Sequence, residues 1–312
     1  MNYEHSTNIN IYKQNVIFMV VSLITGTMKL ISMESGNFKL DGGAMFGVVP
    51  KSLWQKVYPA DQNNMCNLSL RLLYVEDEGR MILIDTGLGQ KQDEKFFSYY
   101  YLNGDDSLEK SLYTAGIKKS DITDVILTHL HFDHCGGAVE SFHGSKEYQT
   151  TFPNATYWCS NDQWLWSQKP NQREKASFLK ENILPLSESG QLRFFNDNTG
   201  ITSNIRIRLF HGHTVGLAVP VVKYYDRTIV YISDLIPTAA HVPLSWICGY
   251  DVQPLVTFRE KEQFLTEALN NDYILFFEHD LYTVCCTLEN TEKGIRVKYK
   301  AKSLDEMLSS SQ

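Results

Sequence analysis

The segment Thr128-His129-Leu130-His131-Phe132-Asp133-His134 decides the fold class of this chain. Three imidazoles and one carboxylate fall within six residues, directly after the apolar run Val125-Ile126-Leu127, which predicts a buried strand. Imidazole and carboxylate groups are the ligands that zinc and similar divalent metals use. Because His129 and His131 alternate, they can face one metal together. Asp133 and His134 come after the turn and can reach a second metal.

Four further landmarks follow other apolar runs along the chain. They are Asp85-Thr86-Gly87, Gly212-His213-Thr214, Asp234 after Ser233, and His279 in Phe276-Phe277-Glu278-His279-Asp280. Together with the histidine-rich segment, and in this order, they resemble the signature of the metallo-β-lactamase superfamily. The resemblance implies an α/β fold of the four-layer αββα type, with the ligands in loops along one edge of the sheets.

The same resemblance implies a complete set of ligands for two metals. His129, His131 and His213 would bind one metal, Asp133, His134 and His279 the other, and Asp234 would bridge both. Asp85 is expected to orient a ligand imidazole through its free N–H group. Flavodiiron relatives carry glutamate where this chain has His131, which favours a hydrolytic metal pair over a redox pair. We therefore expect two Zn²⁺ ions, with manganese, cobalt or iron as alternatives.

Size and composition are those of an ordinary globular protein and limit the classes of partner. The chain has 312 residues, 43% of them hydrophobic and 21% charged, and a net charge of −7. This charge and the absence of a Lys/Arg-rich run argue against nucleic acid as a partner. The six cysteines form no CxxC pair and are expected to be buried thiols.

The N-terminus is expected to differ from the rest of the chain. Residues 1–27 contain an apolar run that begins at Val16 and reaches Ile24, which is too short to span a bilayer. This extension is a signal segment, an added strand or docking segment, or the result of a misplaced start codon. Residues 28–312 are expected to form one metallo-β-lactamase domain in the cytoplasm, without a membrane partner, although the apolar run leaves export open.

Several segments resemble one branch of the superfamily, the quorum-quenching N-acyl-homoserine lactonases, and the related methyl parathion hydrolases. They are residues 41–51, Thr128 to His134, Phe152-Pro153-Asn154-Ala155, and the loop after Asp234. The resemblance implies that a hydroxide bridging the two metals attacks the carbonyl of the lactone ring. Asp133 would pass a proton to the leaving oxygen, as a catalytic residue. His241, in the loop after Asp234, is a second catalytic candidate that would bind substrate or stabilise an oxyanion.

A small lactone with an acyl chain is thus the expected partner, and the chain needs an apolar wall. Candidates for that wall are Met45, Phe46, Trp54 and Trp246, although core or lid packing explains each of them as well. Members of the lactonase group carry a tyrosine shortly after the bridging aspartate, whereas this chain has no tyrosine there until Tyr250. Either His241 takes over that tyrosine's contact, or the lactone carbonyl relies on the metals alone. Family relatives are often dimers, so a homodimer is an option.

Three other functions compete with lactone hydrolysis. The same metal pair can run a phosphotriesterase of the methyl parathion hydrolase type. A thioesterase of the glyoxalase II type is less favoured, because no basic cluster for a glutathione tail is visible. The alternative from another class is a zinc-stabilised binding protein, but structural zinc sites close with four ligands and leave no open position.

The local pattern predicts several helices and one lid. Leu108, Leu112 and Ala115 share a stripe that should end at Gly116. Capping-box patterns begin at Thr257 and at Ser303, and residues 171–182 have the pattern of an exposed helix. Residues 148–198 are expected to form an insert that covers an acyl pocket.

Overall fold

The computed structural model describes residues 27–141 and 147–310, so the predicted extension at residues 1–27 lies almost entirely outside the described part. In that part, one six-stranded sheet contains, in sequence order, β1 (Lys29–Asp41), β2 (Met65–Asp77), β3 (Arg80–Ile84), β4 (Asp124–Ile126), β7 (Thr156–Ser160) and β8 (Leu192–Phe195). The spatial order is the same, and β3, β4, β7 and β8 run parallel. A separate hairpin consists of β5 (Val139–Ser141) and β6 (Tyr148–Thr150).

The second six-stranded sheet is built from the other half of the described chain. Its strands are β9 (Ile205–Phe210), β10 (Leu217–Tyr224), β11 (Arg227–Tyr231), β12 (Ile274–Phe276), β13 (Cys285–Thr291) and β14 (Gly294–Ala301). Their spatial order is also sequential, and only β11 and β12 form a parallel pair. In the described residues, the α-helices are α1 (Gly42–Phe46), α2 (Lys51–Trp54), α3 (Glu94–Ser98), α4 (Leu108–Ala115), α5 (Phe132–Cys135), α6 (Asn161–Gln168), α7 (Lys180–Glu188), α8 (Pro254–Asn270) and α9 (Leu304–Ser309).

Alternation along the central strands sorts the apolar side chains into three buried layers. Successive residues of a strand point to opposite faces, so Val125 and Ile126 of β4 enter different layers. Ile126 packs between the two sheets with Ile229 of β11. Val125 packs on the outer face with Leu112 of α4 and with α7. On the far side, α8 covers the second sheet. The order helix, sheet, sheet, helix confirms the predicted αββα architecture.

Two of the local predictions are confirmed by the helix ends. The Ser107 hydroxyl accepts from the Lys110 N–H group at the start of α4, and Gly116 ends the helix with a left-handed φ of 71°. The Ser303 hydroxyl caps α9 in the same way, by accepting from the N–H group of Glu306. The six cysteines are free and buried, as expected.

Other local predictions are wrong. Residues 171–182 do not form one helix, because a 3₁₀ turn at Lys175–Ser177 precedes α7, which begins at Lys180. The cap predicted at Thr257 lies inside α8, which starts one turn earlier because Pro254 suits the first helical position. Residues 148–198 are not a lid insert as a whole, since they contribute β7 and β8 to the first sheet.

The strand ends bring the predicted ligands to one edge of the molecule. The loops after β3, β4, β9, β11 and β12 carry Asp85, the histidine-rich segment, His213, Asp234 and His279, respectively. Backbone strain marks two of these ends, because Asp85 and Ser233 have φ values of 59° and 46° without being glycine. Among the helices of residues 27–141 and 147–310, none is both long and apolar enough to cross a bilayer.

Candidate metal centre

His129, His131 and His213 present one nitrogen each to a common point. The three nitrogens lie within 4.8 Å of one another. His213 Nε2 lies 3.3 Å from His131 Nδ1, whereas Nε2 of His129 has no hydrogen-bond partner although it is buried. An unpaired buried nitrogen is costly unless something else binds it. These histidines are therefore arranged as three ligands around one position, which we name the first metal position.

Asp133, His134 and His279 form a second group of the same kind, the second metal position. His279 Nε2 lies 3.1 Å from His134 Nε2, and both nitrogens lie within 4 Å of the Asp133 carboxylate. The Asp234 carboxylate stands between the two groups. Its Oδ2 lies 3.2 Å from His213 Nε2, and its Oδ1 lies 3.3 Å from His279 Nε2. Asp234 is thus placed to contact metals at both positions.

The outward nitrogen of each of these five histidines contacts a hydrogen-bonding partner. The partners are the Thr128 hydroxyl for His129, Glu174 for His131, Asp85 and Glu278 for His134, Asp251 for His213, and the Ser69 carbonyl for His279. For His131, His134, His213 and His279 the partner is a carboxylate or a carbonyl, which accepts. Thr128 also accepts from His129, because its own hydroxyl proton is donated to Asp85. The partnered nitrogen therefore carries a proton, and the inward nitrogen is the one that can bind a metal. This is the arrangement that metal-ligating histidines show in proteins.

The donor set and its spacing fit zinc. Two nitrogens bound to one tetrahedral zinc at about 2.0–2.1 Å lie about 3.3 Å apart. The inward nitrogens of His131 and His213, and of His134 and His279, lie at 3.3 Å and 3.1 Å. Burial lowers the pKa of His129 and of His131, which keeps them in the neutral form that binds metal. Burial opposes a charge on His134, His213 and His279 as well, but neighbouring carboxylates raise the pKa of all three, that of His279 to about 9. A metal would therefore have to displace a proton from these three imidazoles.

The two metal positions open into a cavity of about 390 Å³. Ligands from both groups line it, together with a mostly apolar wall and two tyrosines. The other lining residues are Leu40, Ala44, Met45, Tyr100, Phe132, Arg173, Glu174, Ala176, Ser177, Pro237, Cys248, Gly249 and Tyr250. Burial raises the pKa of Tyr250, and it raises the pKa of Tyr100 to about 12. Both phenols therefore remain hydrogen-bond donors at neutral pH.

A sequence model of the metallo-β-lactamase superfamily matches residues 72–275, about two thirds of the chain. The chain belongs to this superfamily. The histidine and aspartate groups described above are those of a metal-dependent hydrolase of the metallo-β-lactamase type.

Solved structures support the same fold. A probable metal-dependent hydrolase from Staphylococcus aureus is 28% identical, with a TM-score of 0.80 over 90% of this chain and 99% of that chain. AidC, a dizinc quorum-quenching lactonase in complex with a product, is 21% identical, with a TM-score of 0.72 over 89% and 96% of the two chains. An N-acyl homoserine lactonase from Bacillus cereus is 32% identical over 84 residues. That match spans 24% of this chain and 34% of the relative's length.

The metallo-β-lactamase core positions the histidine-rich segment by close backbone packing. Gly136 and Gly137 follow α5, and a Cβ atom on either glycine would overlap a carbonyl group of Leu88 or Thr86. The N–H group of Gly137 donates to Gly87, and that of Thr86 donates to the His134 carbonyl. Glycine is required here because a side chain would push the ligand loop away from the end of β3.

Only one of the four predicted wall residues reaches the cavity. Met45 lines it, whereas Phe46 and Trp54 are about 1% exposed and stack on each other with 4.9 Å between ring centroids. Trp246 meets Phe46 edge to face from behind. The structure corrects the prediction for Phe46, Trp54 and Trp246, which support the loop that carries Met45 rather than line the cavity themselves. The cavity wall is formed instead by Leu40, Phe132 and the two tyrosines.

The position of His241 also differs from the prediction. The side chain is buried, and its Nε2 lies 2.9 Å from the Met45 carbonyl and its Nδ1 2.8 Å from the Thr238 hydroxyl. Phe46 stacks on the ring at 4.5 Å. Both nitrogens are therefore engaged, and His241 does not line the cavity. Its role is to fix the backbone at Met45, and burial lowers its pKa to about 3, so it stays neutral.

Four further acidic or phenolic residues at the site escape the reasoning from sequence. Glu174, Asp251 and Glu278 hold ligand histidines, and Tyr100 lines the cavity. Burial raises the pKa of Glu278, as does the charge of Asp85, which contacts the same His134 imidazole, and the resulting pKa is about 8. The sequence could have indicated Glu278, because it directly precedes the predicted ligand His279. Glu174 lies in the segment predicted as an exposed helix, and Asp251 and Tyr100 lie in segments without periodicity or a motif, so no sequence signal singles these three residues out.

Proposed function

We propose that this chain is a dinuclear zinc hydrolase that opens the lactone ring of N-acyl-homoserine lactones. The observation that carries the proposal is the opening of two adjacent metal positions into one cavity with a largely apolar wall. Its volume of about 390 Å³ falls in the range of small-molecule sites, about 300–1,000 Å³. A structural zinc site would close with four protein ligands, whereas here the ligand atoms face open space.

When bound, a metal pair lowers the pKa of water and polarises the carbonyl oxygen that is attacked. The residues of the chain supply the remaining parts. The Asp133 carboxylate faces the cavity and can take a proton from the attacking water. When the ring C–O bond breaks, the same proton can pass to the leaving oxygen. The open-chain product then carries a hydroxyl and a carboxylic acid, and the acid releases the second proton of the water to solvent and remains as a carboxylate.

Two phenols are available for the contact that the lactonase group makes with a tyrosine. Tyr100 and Tyr250 both line the cavity, although neither directly follows Asp234 in sequence. Tyr250 is reached through the loop after Asp234 and is about 40% exposed, so its hydroxyl can move to meet a substrate. We assign to Tyr250 the role of hydrogen-bond donor to the lactone or to the amide of the acyl group.

The likeness to two lactonases supports this substrate class over others. AidC shares the fold over most of the chain, and the Bacillus cereus relative shares sequence over 84 residues. The apolar wall fits an acyl chain, and the two phenols fit a neutral ester. We expect zinc at both positions because three imidazoles or two imidazoles with carboxylates suit it.

The test is ring opening of N-hexanoyl- and N-decanoyl-homoserine lactone by the zinc-loaded protein, followed by proton release. Turnover should fall by at least a hundredfold in Asp133→Asn and should be restored to metal-stripped protein by zinc. Asp226→Asn, the same change in an exposed turn, is the matched control and should retain full activity. No turnover of either lactone with two metals bound would overturn the proposal. Hydrolysis of a phosphotriester by that same sample would favour the alternative function.

A further inference from the structure

The 171–178 segment connects α6 to α7 and passes along the cavity. Four of its residues line the cavity wall, namely Arg173, Glu174, Ala176 and Ser177. Arg173 and Ala176 are exposed, but Glu174 between them is only 3% exposed. A carboxylate that a loop buries in this way needs partners, because burial of an unpaired charge is costly.

The partners of Glu174 come from four directions. Its Oε1 lies 2.9 Å from His131 Nε2 and also accepts from the Thr214 hydroxyl. Its Oε2 accepts from the indole N–H group of Trp166 at 2.7 Å and from the Asn171 amide at 3.3 Å. The two oxygens of the carboxylate are thus fixed by separate groups, so its orientation toward His131 is determined.

Asn171 fixes the backbone on which Glu174 stands. Its side-chain oxygen accepts from the N–H groups of Arg173 and Glu174, which closes a tight turn. At the other end of the segment, the Phe178 ring packs on the His131 ring with 5.0 Å between centroids. His131 is therefore held from its outer nitrogen and from one face by a single short loop.

The same loop also supports His213, a second of the three imidazoles at the first metal position. The Arg173 guanidinium donates to the backbone carbonyls of Gly249 and Asp251. The Asp251 carboxylate in turn lies 2.9 Å from Nδ1 of His213. Among the described residues, no comparable contact joins this loop to the second metal position. The outer partners of the two histidines there, His134 and His279, are Asp85, Glu278 and the Ser69 carbonyl.

We propose that Glu174 is a positioning residue that holds His131 with Nδ1 toward the first metal position and joins the cavity wall to that position. This inference rests on the metal centre of the proposed function but not on its substrate. Without Glu174, the His131 ring can rotate or change tautomer, and the metal loses a preorganised ligand. The loss should be confined to the first metal position.

The experiment is a titration of metal-free protein with Co²⁺ and with Zn²⁺ against a competing chelator, recorded through the visible absorption of bound cobalt. The wild-type protein should take up two ions. In Glu174→Gln, which keeps the shape but removes the charge, one of the two ions should bind about 10- to 100-fold more weakly. Glu174→Ala should lose more, and the cobalt spectrum of the remaining ion should resemble that of the wild-type second site.

Two further variants complete the series. Trp166→Phe removes one hydrogen bond to Glu174 and should weaken binding of the same ion by a smaller factor. It therefore provides the test if both Glu174 variants fail to fold. Glu188→Gln, an exposed site in α7, is the matched control and should bind both ions normally. The unfolding midpoints of the metal-free variants should not follow the order of their losses in metal affinity. A purely structural role of Glu174 would instead lower the midpoints in that order.

Unchanged affinity and unchanged cobalt spectra in Glu174→Gln and Glu174→Ala would overturn the inference, as would an equal loss at both positions. The result is independent of the substrate. If the wild-type protein binds two ions without opening lactones, the proposed function fails while a selective loss in Glu174→Gln still supports Glu174. If the wild-type protein binds no ions, both proposals fall.

Discussion

Replacement of Arg71 by methionine should destabilise the protein, because Arg71 connects the two sheets. Arg71 lies in β2 of the first sheet, and its Nη1 donates at 2.8 Å to the carbonyls of Phe277 and Asp280, which follow β12 of the second sheet. Its Nε donates to Glu34 at 2.6 Å. The guanidinium thus connects the first sheet to the backbone on either side of His279.

The expected loss follows from the burial of the groups left behind. The Arg71 side chain is 4% exposed and that of Glu34 is 32% exposed. Breaking a fully buried pair costs about 3–5 kcal/mol, and partial exposure of Glu34 places this pair at the lower end, about 3 kcal/mol. For a chain of 312 residues, with an unfolding entropy of about 2.1 cal/mol/K per residue, this loss corresponds to a fall of about 4–5 °C in the unfolding midpoint.

The assay is thermal and urea unfolding of metal-free protein at pH 7 and pH 5. Burial raises the pKa of Glu34, and Arg71 partly counteracts this. In Arg71→Met the carboxyl should be protonated more readily, so the loss should be smaller at pH 5 than at pH 7. Arg71→Lys should be intermediate, because the single nitrogen of an ammonium cannot occupy both positions from which Nε and Nη1 of the guanidinium reach these three acceptors. Arg259→Met, at an exposed site, is the control. A change within 1 kcal/mol of the control at pH 7 would refute the reasoning.

Three other perturbations have defined outcomes. Burial lowers the pKa of Lys261 to about 7, against about 10.4 in the unfolded chain, so the unfolded state binds more protons between these values. The unfolding free energy of the wild type should therefore rise from pH 7 to pH 9 relative to that of Lys261→Met, by up to about 1.4 kcal/mol per pH unit. If the difference in unfolding free energy between the two proteins did not change with pH, the lowered pKa of Lys261 would be contradicted. Gly137→Ala should lower the affinity for both metals and cost at least 1–3 kcal/mol, because its Cβ overlaps the Thr86 carbonyl, whereas Gly200→Ala should have little effect. Chelation should lower the unfolding temperature, since free metal at about a thousandfold above its Kd stabilises by about 4 kcal/mol. Asp234→Ala should show little of this dependence, and equal midpoints with and without metal in the wild type would contradict a metal-supported fold.

The superfamily resemblance implied the seven ligand candidates, and their convergence at one edge could be predicted because each follows an apolar run that forms a strand. A buried strand reveals itself by composition, and the first residues after it must lie at a sheet edge. The alternation of His129 and His131 gave their common metal position in the same way. The αββα layer order was implied by the resemblance of these landmarks, in their order, to the superfamily signature.

The positions of Glu174 and His241 could not be predicted in this way. Glu174 lies in a loop that the charge pattern presents as an exposed helix, and only the tertiary contact with His131 makes its burial favourable. His241 follows Asp234 closely, but the chain turns at Thr238 and the ring points to Met45 instead of the metals. In both cases the deciding contact joins residues far apart in sequence, about which local patterns carry no information.

The arrangement of the ligands explains why their outer hydrogen-bonding partners come from so many segments. Each metal position takes ligands from both sheets, since His131 and His134 follow β4, whereas His213 and His279 follow β9 and β12. Two packed sheets can slide by small amounts, and a metal pair tolerates little displacement. The outer partners remove this freedom, because Arg71 reaches from the first sheet to the loop of His279, and Glu174 joins the cavity wall to His131. The exact placement of the metal ligands therefore depends on the contacts between the two sheets. Residues that make those contacts should influence metal binding more than equally buried residues within either sheet.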